Sequence, residues 1–410
     1  MRFRVSAGLT ALMFAASAWL SVPVQAQRRG APPSQEQMEG LALTQYVHDV
    51  VTGVSAPPDA TLSWDSYFVK SQGENVYVPF TVKLDADKLG RQVAMYYSVV
   101  PQGPQLVGFK AAAQDGDENA AALSGELVNT SASVRENVNL TITMLDASGK
   151  LLGTEQATVP SVAPGQRTPF TATVKAPRNT TQYSVVVEGA DSVFRDLSFL
   201  ELPTPSRGQP VRVSRAFVAP PGSYDVYVVL RERPRDPRTP PKVALLKERV
   251  VVPNLNSELM VSSVFLADKI EPLSAPLKAE DQIKQPYTLG TMAIEPATSN
   301  AIRQSGELSI IFFVYNTGVD PGQKPNVQIQ YNFHRKTAEG EKFFNRTNPQ
   351  DFNAQTLPPE FSLSQGHQIV GGQSVPLASF EPGDYRLEIQ VSDKVAGKTV
   401  TANVPFTVVG

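Results

Sequence analysis

The sequence predicts an all-β protein of about three immunoglobulin-like or fibronectin-like sandwiches in tandem, one of them inserted into another, preceded by a short helix. Segments such as 75–84, 224–230 and 385–391 alternate apolar and polar residues with period two and are rich in β-branched and aromatic residues. Turn sequences separate these segments, and the 410 residues include 27 Gly and 34 Pro. No cysteine is present, so hydrophobic cores must hold the sandwiches together without disulfides.

The first 26 residues have the pattern of a secretory signal. Arg2 and Arg4 precede the apolar run 5–20, and Val24 and Ala26 place small residues before a cleavage site. The alternative is a retained membrane anchor, but the run is shorter than the ~20 residues that a membrane span requires. We therefore expect export, with the mature chain in the periplasm or outside the cell.

Residues 27–57 are predicted to form a flexible leader followed by a helix over 35–51. Met38, Leu41 and Val47 are among the apolar residues that recur there at steps of three and four. We expect this helix to pack on the neighbouring domain, and a partner-binding helix is the alternative. The sequence Ala-Pro-Pro at 56–58 ends it.

Counting strands suggests how the domains are connected. The split sandwich is predicted over 58–104 and 193–275. Residues 58–104 contain about three predicted strands and 193–268 about four, so neither segment reaches the seven strands of a sandwich alone. Together they do. The sequence therefore predicts one split sandwich, interrupted by a second sandwich at 105–192 and followed by a C-terminal sandwich at 285–410.

The interrupting segment resembles a known family. Residues 125–129 read Gly-Glu-Leu-Val-Asn, residues 144–150 read Met-Leu-Asp-Ala-Ser-Gly-Lys, and a Pro-Gly turn follows at 164–165. This pattern resembles the FxLYD family, small β-sandwiches of secreted or surface bacterial proteins, with Met-Leu-Asp at 144–146 in place of Leu-Tyr-Asp. The resemblance covers about 105–190. It implies a sandwich fold and carries no catalytic residues.

The second half of the chain has a looser resemblance. Segments 252–267, 306–316 and 383–391 are similar to accessory β-sandwiches of exported bacterial proteins that accompany von Willebrand A-type or GWxTD domains. The Asp-x-Ser-x-Ser metal motif and the Gly-Trp-x-Thr-Asp signature of those domains are missing from this sequence. The resemblance therefore implies accessory architecture without the metal-binding part.

Composition argues against several functions. The three histidines, His48, His334 and His367, lie far apart in the sequence, and no nucleophile, phosphate-loop or zinc motif occurs. Removing Arg2 and Arg4 with the signal changes the formal net charge from −2 to −4, which disfavours nucleic acid. We predict no catalytic residues, no metal and no cofactor. A pair of carboxylates for glycoside hydrolysis stays open, because the distance between two carboxylates is not visible in a sequence.

One acidic segment has part of a calcium-loop spacing. Asp115, Asp117, Asn119 and Glu126 occupy positions 1, 3, 5 and 12 of such a loop, but Ala120 stands where the sharp turn requires Gly. We interpret the segment as a solvated acidic loop and leave calcium open.

Two segments are candidates for a binding surface. Residues 337–372 form a long polar stretch with few strand signals, which predicts a functional loop, and residues 231–242 form a basic loop stiffened by prolines. The candidate residues are Lys342, Phe343, Phe344, Arg346 and Phe352 in the first segment, and Arg231, Arg233, Arg235 and Arg238 in the second.

The sequence thus predicts a non-catalytic interaction or scaffold protein of the bacterial envelope, which binds a protein partner through loops on β-sandwiches. A carbohydrate- or cell-wall-binding module is the alternative, with a polysaccharide as the partner. A hydrolase with an unrecognised carboxylate pair is a second alternative.

Overall fold

A computed structural model describes residues 35–52, 57–85, 87–114, 117–146, 150–188, 192–205, 208–233, 236 and 238–410. The predicted signal, the predicted leader up to 34, Asp115 and Arg235 lie outside these residues. The described chain is nearly all β, which confirms the predicted fold class. Within it, no helix combines the length and the apolar character needed to cross a membrane.

The chain before the interrupting segment forms α1 (Gln35–Thr52), β1 (Ala60–Thr61), β2 (Ser63–Ser66), β3 (Val69–Lys70), β4 (Val76–Leu84) and β5 (Gln92–Pro101). The interrupting segment forms β6 (Pro104–Gln114), β7 (Asp117–Asn129), β8 (Arg135–Leu145), β9 (Leu151–Val162), β10 (Arg167–Lys175) and β11 (Gln182–Val187). The chain after it forms β12 (Phe194–Glu201), β13 (Val211–Ala219), β14 (Gly222–Glu232) and β15 (Val243–Val252).

The remaining strands are β16 (Met260–Val261), β17 (Phe265–Pro272), β18 (Thr288–Leu289), β19 (Met292–Pro296), β20 (Ala301–Arg303), β21 (Glu307–Tyr315), β22 (Val327–Thr337), β23 (Gly340–Arg346), β24 (Gln350–Phe352), β25 (Ile369–Pro376), β26 (Gly383–Asp393) and β27 (Lys398–Val409). A short helix α2 (Ala279–Gln282) precedes β18, and a 3-10 turn (Leu363–Gln365) precedes β25.

Strands from both sides of the interrupting segment pair with one another. Sheet I has the order β1-β15-β14-β5-β12, and sheet II has the order β13-β4-β2 with β3 also on β4. Strand β5 thus lies between two later strands, with Tyr97 opposite Val228 on one side and Asp196 on the other. We call these two sheets the first sandwich. Its strands come from 60–101 and 194–252, the pairing that a split sandwich requires.

The interrupting segment forms two sheets of its own. Sheet III has the order β10-β7-β6 and sheet IV the order β11-β8-β9. A separate core lies between them, with Leu127, Leu140, Ile142 and Phe170 among its buried residues. We call these strands the inserted sandwich. Its folding as an independent unit, and its kinship with the FxLYD family, stay predictions.

The C-terminal sandwich consists of sheet V, in the order β16-β21-β17-β19-β18 with β25 also on β21, and sheet VI, in the order β20-β27-β26-β22-β23 with β24 also on β22. Strands β16 and β17 belong to sheet V, whereas the sequence placed residues up to 275 in the split sandwich. The physical reason is that the side chains of Phe265 and Ala267 pack into the core of the first sandwich while their backbone pairs with β21.

Sheet V is buried on both faces and joins two cores. On β21, Ile310 and Phe312 pack into the C-terminal core, while Ile311 and Phe313 pack into the core of the first sandwich. Residues that alternate along a strand point to opposite faces, so one strand serves both cores. The molecule is therefore stacked as α1, sheet I, sheet II, sheet V and sheet VI.

Helix α1 packs on the outer face of sheet I. Leu43 and Val47 are buried there in a cluster with Ala94, Tyr96 and Tyr227. The helix begins at Gln35, as the sequence predicts, and ends at Thr52. Its packing on the neighbouring sheet confirms the expectation of a structural helix.

Candidate functional site

The segment 337–372, predicted to be a loop, carries regular structure. It contains the end of β22, all of β23 and β24, and the start of β25, so this prediction is wrong. Strand β23 pairs with β22 and forms an edge of sheet VI. Most of its side chains are exposed, so it lacks the apolar alternation by which a half-buried strand is recognised in sequence.

Phe343 is the exposed aromatic residue of this strand. Its side chain is 59% exposed, and its ring meets the imidazole of His334 edge-on, with ring centroids 5.9 Å apart. Lys342 beside it forms an ion pair with Glu339, and Arg346 is exposed at the end of the strand. These three predicted residues therefore lie at the surface.

Phe344 and Phe352 are instead turned toward the core. The ring of Phe344 lies 4.8 Å from that of Phe380 and 5.5 Å from that of Tyr385. Phe352 is half-buried and packs against the same C-terminal core. The prediction that these two residues belong to a binding surface is corrected by their packing: successive residues of a strand point to opposite faces, so Phe343 and Phe344 cannot both face solvent.

Two of the four arginines of the predicted basic loop are engaged within the protein. Arg231 is the second-last residue of β14 and forms a 2.6 Å ion pair with Glu39 of α1. The guanidinium of Arg233 lies 4.6 Å from the ring centroid of Phe199. Arg238 is exposed and Arg235 lies outside the described residues. The prediction of a loop that presents four arginines is therefore wrong for Arg231 and Arg233, which fasten α1 and β12.

The two predicted clusters also lie at opposite ends of the stack. Arg231 contacts α1 on the outer face of sheet I, and Phe343 lies on the outer face of sheet VI. Four sheets stacked about 10 Å apart separate these faces by about 30 Å. The two clusters therefore cannot form one binding surface.

A polar network around Phe343 has no counterpart in the sequence prediction. The Arg386 guanidinium donates hydrogen bonds to both carboxylate oxygens of Glu341, at 2.9 Å from Nε and 2.7 Å from Nη2, and another to Glu388 Oε2 at 3.1 Å. Asn332 Nδ2 donates to Glu388 Oε1 at 3.2 Å, and His334 Nε2 lies 3.8 Å from Glu388 Oε2. We call these residues, with Phe343, the outer patch.

Electrostatics fix the charge states of Glu341, Glu388 and Arg386. Hydrogen bonds from Arg386 lower the pKa of Glu341 and the pKa of Glu388 below the ordinary value for Glu. The bond to Glu341 raises the pKa of Arg386 in turn. Both carboxylates and the guanidinium are therefore charged at neutral pH and held in fixed positions.

The alternation of polar and apolar residues in the sequence indicates part of this network. Asn332 and His334 alternate with buried Phe333 on β22, and Arg386 and Glu388 alternate with buried Leu387 on β26. Polar residues on the exposed side of two strands predict a solvated face. Their approach to each other depends on β22 pairing with β26, which the sequence does not specify.

The structure separates the residues that have the spacing of a calcium loop. Asp117 and Glu126 lie on the same extended strand, β7, so nine residues at about 3.4 Å each place them about 30 Å apart. Glu126 instead forms a 2.9 Å ion pair with Arg167. Within the described part of the chain, no three His, Asp or Glu side chains are grouped closely enough to hold a metal ion.

A shallow depression of about 410 Å³ lies where the first sandwich meets the C-terminal sandwich. Its lining consists of Pro203, Pro205, Gln209, Pro210, Val211, Arg212 and Thr298. No carboxylate belongs to this lining, so the depression does not provide the paired acids that glycoside hydrolysis requires.

No protein-family model and no curated protein matches the chain. Among solved structures, a putative beta-galactosidase from Bacteroides fragilis aligns with 9% identity and a TM-score of 0.20, over 85% of this chain and 34% of that one. A calcium-binding mutant of Bacteroides uniformis beta-glucuronidase 2 aligns with 11% identity and a TM-score of 0.19, over 84% of this chain and 28% of that one. The chain thus spans about a third of their length, and TM-scores this low carry no argument.

Proposed function

We propose that this chain is a non-catalytic binding protein of the bacterial envelope that takes a protein partner on the outer patch of sheet VI. The observation that carries the proposal is the placement of Phe343, 59% exposed, on the same face of sheet VI as a guanidinium held by two carboxylates. Aromatic and Arg side chains dominate the binding energy of protein interfaces. Here both are held by paired strands, so little conformational freedom is lost on binding.

The surroundings of Phe343 fit the anatomy of such a contact. An exposed ring lies at the edge of the patch. The carboxylates of Glu341 and Glu388 are already hydrogen-bonded to Arg386, and Asn332 also donates to Glu388. Polar groups that are satisfied within the protein lose less when a partner displaces water from them. Because we expect the chain to be exported, we expect its partner to be a protein of the envelope.

Affinity capture from a bacterial envelope fraction tests the proposal. The bait is the full chain, and the test variant is Phe343→Ala, which removes an exposed ring and should leave stability within about 0.5 kcal/mol. We expect the variant to lose a specific captured protein at least about tenfold, the effect of one interface anchor. Deleting 337–372 is unsuitable because it would remove β23 and β24.

Val251→Ala is the matched control. Val251 is 66% exposed and lies on β15 of sheet I, far from the outer patch. The Val251→Ala variant should capture the same protein as the unmodified chain. Equal capture by the Phe343→Ala and Val251→Ala variants would refute the outer patch as the binding surface.

A polysaccharide is the second candidate ligand. The observation that favours it is the set of planar groups on the same face of sheet VI as the Phe343 ring, namely the amide of Asn332, the carboxylates of Glu341 and Glu388, and the guanidinium of Arg386. Sugars are bound by a few fixed polar groups together with an aromatic surface. Sedimentation with insoluble peptidoglycan, cellulose or chitin separates the candidates, because only a polysaccharide ligand predicts Phe343-dependent binding without any protein partner.

A further inference from the structure

Strand β11 (Gln182–Val187) forms one edge of sheet IV in the inserted sandwich. Its sequence, Gln-Tyr-Ser-Val-Val-Val, contains no charged residue and no proline. Val186 is 39% exposed on the outer face of the sheet. The strand is therefore β-prone, apolar in part and uncharged, which are the properties that favour pairing with a further strand.

The backbone groups of β11 that point away from β8 are free of hydrogen bonds to the described residues. On the inner side, Glu188 N–H donates to the carbonyl oxygen of Asn139 at 2.9 Å, so every second residue from Glu188 back along β11 faces β8. The alternate residues Tyr183, Val185 and Val187 point their N–H and C=O groups away from β8. No described residue bonds these outward groups.

The other edges of the inserted sandwich are protected against pairing. Strand β6 has a register shift at Gly108, whose φ is 62°, followed by Lys110. Strand β9 contains Glu155 and Pro160, and β10 contains Pro169. Charges, prolines and bulges are the usual devices that prevent edge-to-edge association. Among the four edge strands described here, β11 lacks all of them.

The side of the sandwich at β11 is also apolar. Tyr183 and Val185 of β11, and Leu106 and Phe109 of the neighbouring β6, are half-buried and pack against the core from that side. An added strand on β11 would cover these side chains. Burial of such apolar area is the main favourable term in association.

The flanks of β11 carry opposite charges. Arg178 precedes the strand and Glu188 follows it, and both are exposed. When a second copy of the strand lies antiparallel to the first, the basic flank of each copy lies at the same end as the acidic flank of the other. Arg178 lies four residues before the strand, so the opposite charges attract across each end of the pair and not as directly opposed residues. A parallel copy would instead bring like charges to the same end.

We propose that two copies of this chain associate through β11, in antiparallel pairing about a two-fold axis at Val185. Tyr183 of each copy then faces Val187 of the other, and Val185 faces its own equivalent. The outward backbone groups form about six hydrogen bonds, since each such pair exchanges two. Sheet IV and its copy become one six-stranded sheet, a self-complementary contact of the kind that closes dimers.

Analytical ultracentrifugation of the full chain over a range of concentrations tests the proposal. We expect a reversible dimer, and we expect Val185→Pro to raise its dissociation constant at least about tenfold. The proline removes an outward N–H and no bond to β8, so the fold should be kept, as circular dichroism can verify. Val185→Thr keeps the N–H and is the matched control that should still dimerise.

Charge reversal supplies an independent measurement. Arg178→Glu and Glu188→Arg should each weaken the dimer, because each brings like charges together, and the double variant should recover it. A chain that stays monomeric at the highest concentration overturns the proposal. So does a dimer that Val185→Pro and both single reversals leave unchanged.

Discussion

The first sandwich meets the C-terminal sandwich through apolar side chains and the inserted sandwich through polar ones. At the first junction, Ile311 and Phe313 of sheet V are buried in the core of the first sandwich. At the second, Gln102 Nε2 donates to Asp225 Oδ1 at 3.0 Å and Arg249 Nη2 donates to the Thr130 carbonyl at 3.3 Å. A shared core couples the stability of two units, whereas a few polar contacts without a common apolar core couple them weakly.

Buried hydroxyl groups add directional bonds to the apolar junction. Tyr77 Oη donates to the carbonyl of Pro286 at 2.9 Å, and the hydroxyls of Thr81 and Tyr287 lie 2.8 Å apart. Ser263 and Phe68 also exchange hydrogen bonds of 2.8 and 2.9 Å. We infer that the first and C-terminal sandwiches unfold together and that the inserted sandwich unfolds separately.

Phe313→Ala should have the largest effect on this comparison. Phe313 is 1% exposed, and truncating a buried Phe costs about 3–5 kcal/mol. Because its ring lies in the shared core, Trp64 fluorescence from the first sandwich should report a large drop in the urea midpoint. Phe170→Ala in the separate core, 2% exposed, is the matched control and should leave the Trp64 midpoint unchanged. Equal shifts from both substitutions would contradict separate unfolding.

Alkaline pH should also distinguish the junctions. Burial raises the pKa of Tyr77, of Tyr287 and of Tyr315 above the ordinary value near 10, and all three lie in the shared core. Above pH ~10 the unfolded chain loses these protons while the folded chain keeps them, so the free energy of unfolding falls as the pH rises. The inserted sandwich has one tyrosine, Tyr183.

Two fluorescence reporters can follow this transition. Trp64 reports the first sandwich, and a dye on a cysteine introduced at Leu151, 58% exposed, reports the inserted sandwich in a chain without native cysteine. The Trp64 signal should change at lower pH than the dye signal. The reverse order would argue against the shared core as the pH-sensitive part.

Removing the inserted sandwich should have a small effect on the rest of the molecule. Phe194 lies opposite Val99, so Pro101 and Ser192 come together where β5 and β12 lie side by side. An Asn-Gly turn in place of 102–191 can close this hairpin. We expect the shortened chain to keep its Trp64 emission and to lose no more than about 1 kcal/mol of stability. Aggregation or an unfolded spectrum would show that the inserted sandwich is needed for folding.

Arg249→Gln should have the smallest effect on stability. The substitution removes the bond to Thr130 and an ion pair with Asp225 at 3.5 Å, contacts of a half-exposed side chain worth less than about 1 kcal/mol. It should broaden the distance distribution between spin labels at Leu151 and Val409 without changing the urea midpoint. Lys247→Gln, on the same strand, should leave that distribution unchanged.

Alternation of polar and apolar residues predicts the strands that bury one face, and the wrong predictions concern residues whose burial depends on distant parts of the chain. Strands β22 and β26 each bury one face, so the alternation of polar and apolar residues predicts both of them. Strand β23 buries neither face fully, so its sequence predicts a loop. The sequence predicts exposed side chains for Arg231 and Arg233 because their partners, Glu39 and Phe199, are distant in sequence.

Local composition and alternation by themselves determined the all-β class, the helix at Gln35–Thr52 and the strand count that predicts a split sandwich, because each depends on residues near in sequence. The tertiary structure decided which strands share a sheet. It placed β17 in sheet V, buried both faces of β21, and brought Arg386, Glu341 and Asn332 together around Phe343. These contacts join residues tens of positions apart, and periodicity records which face of a strand is buried but not what covers it.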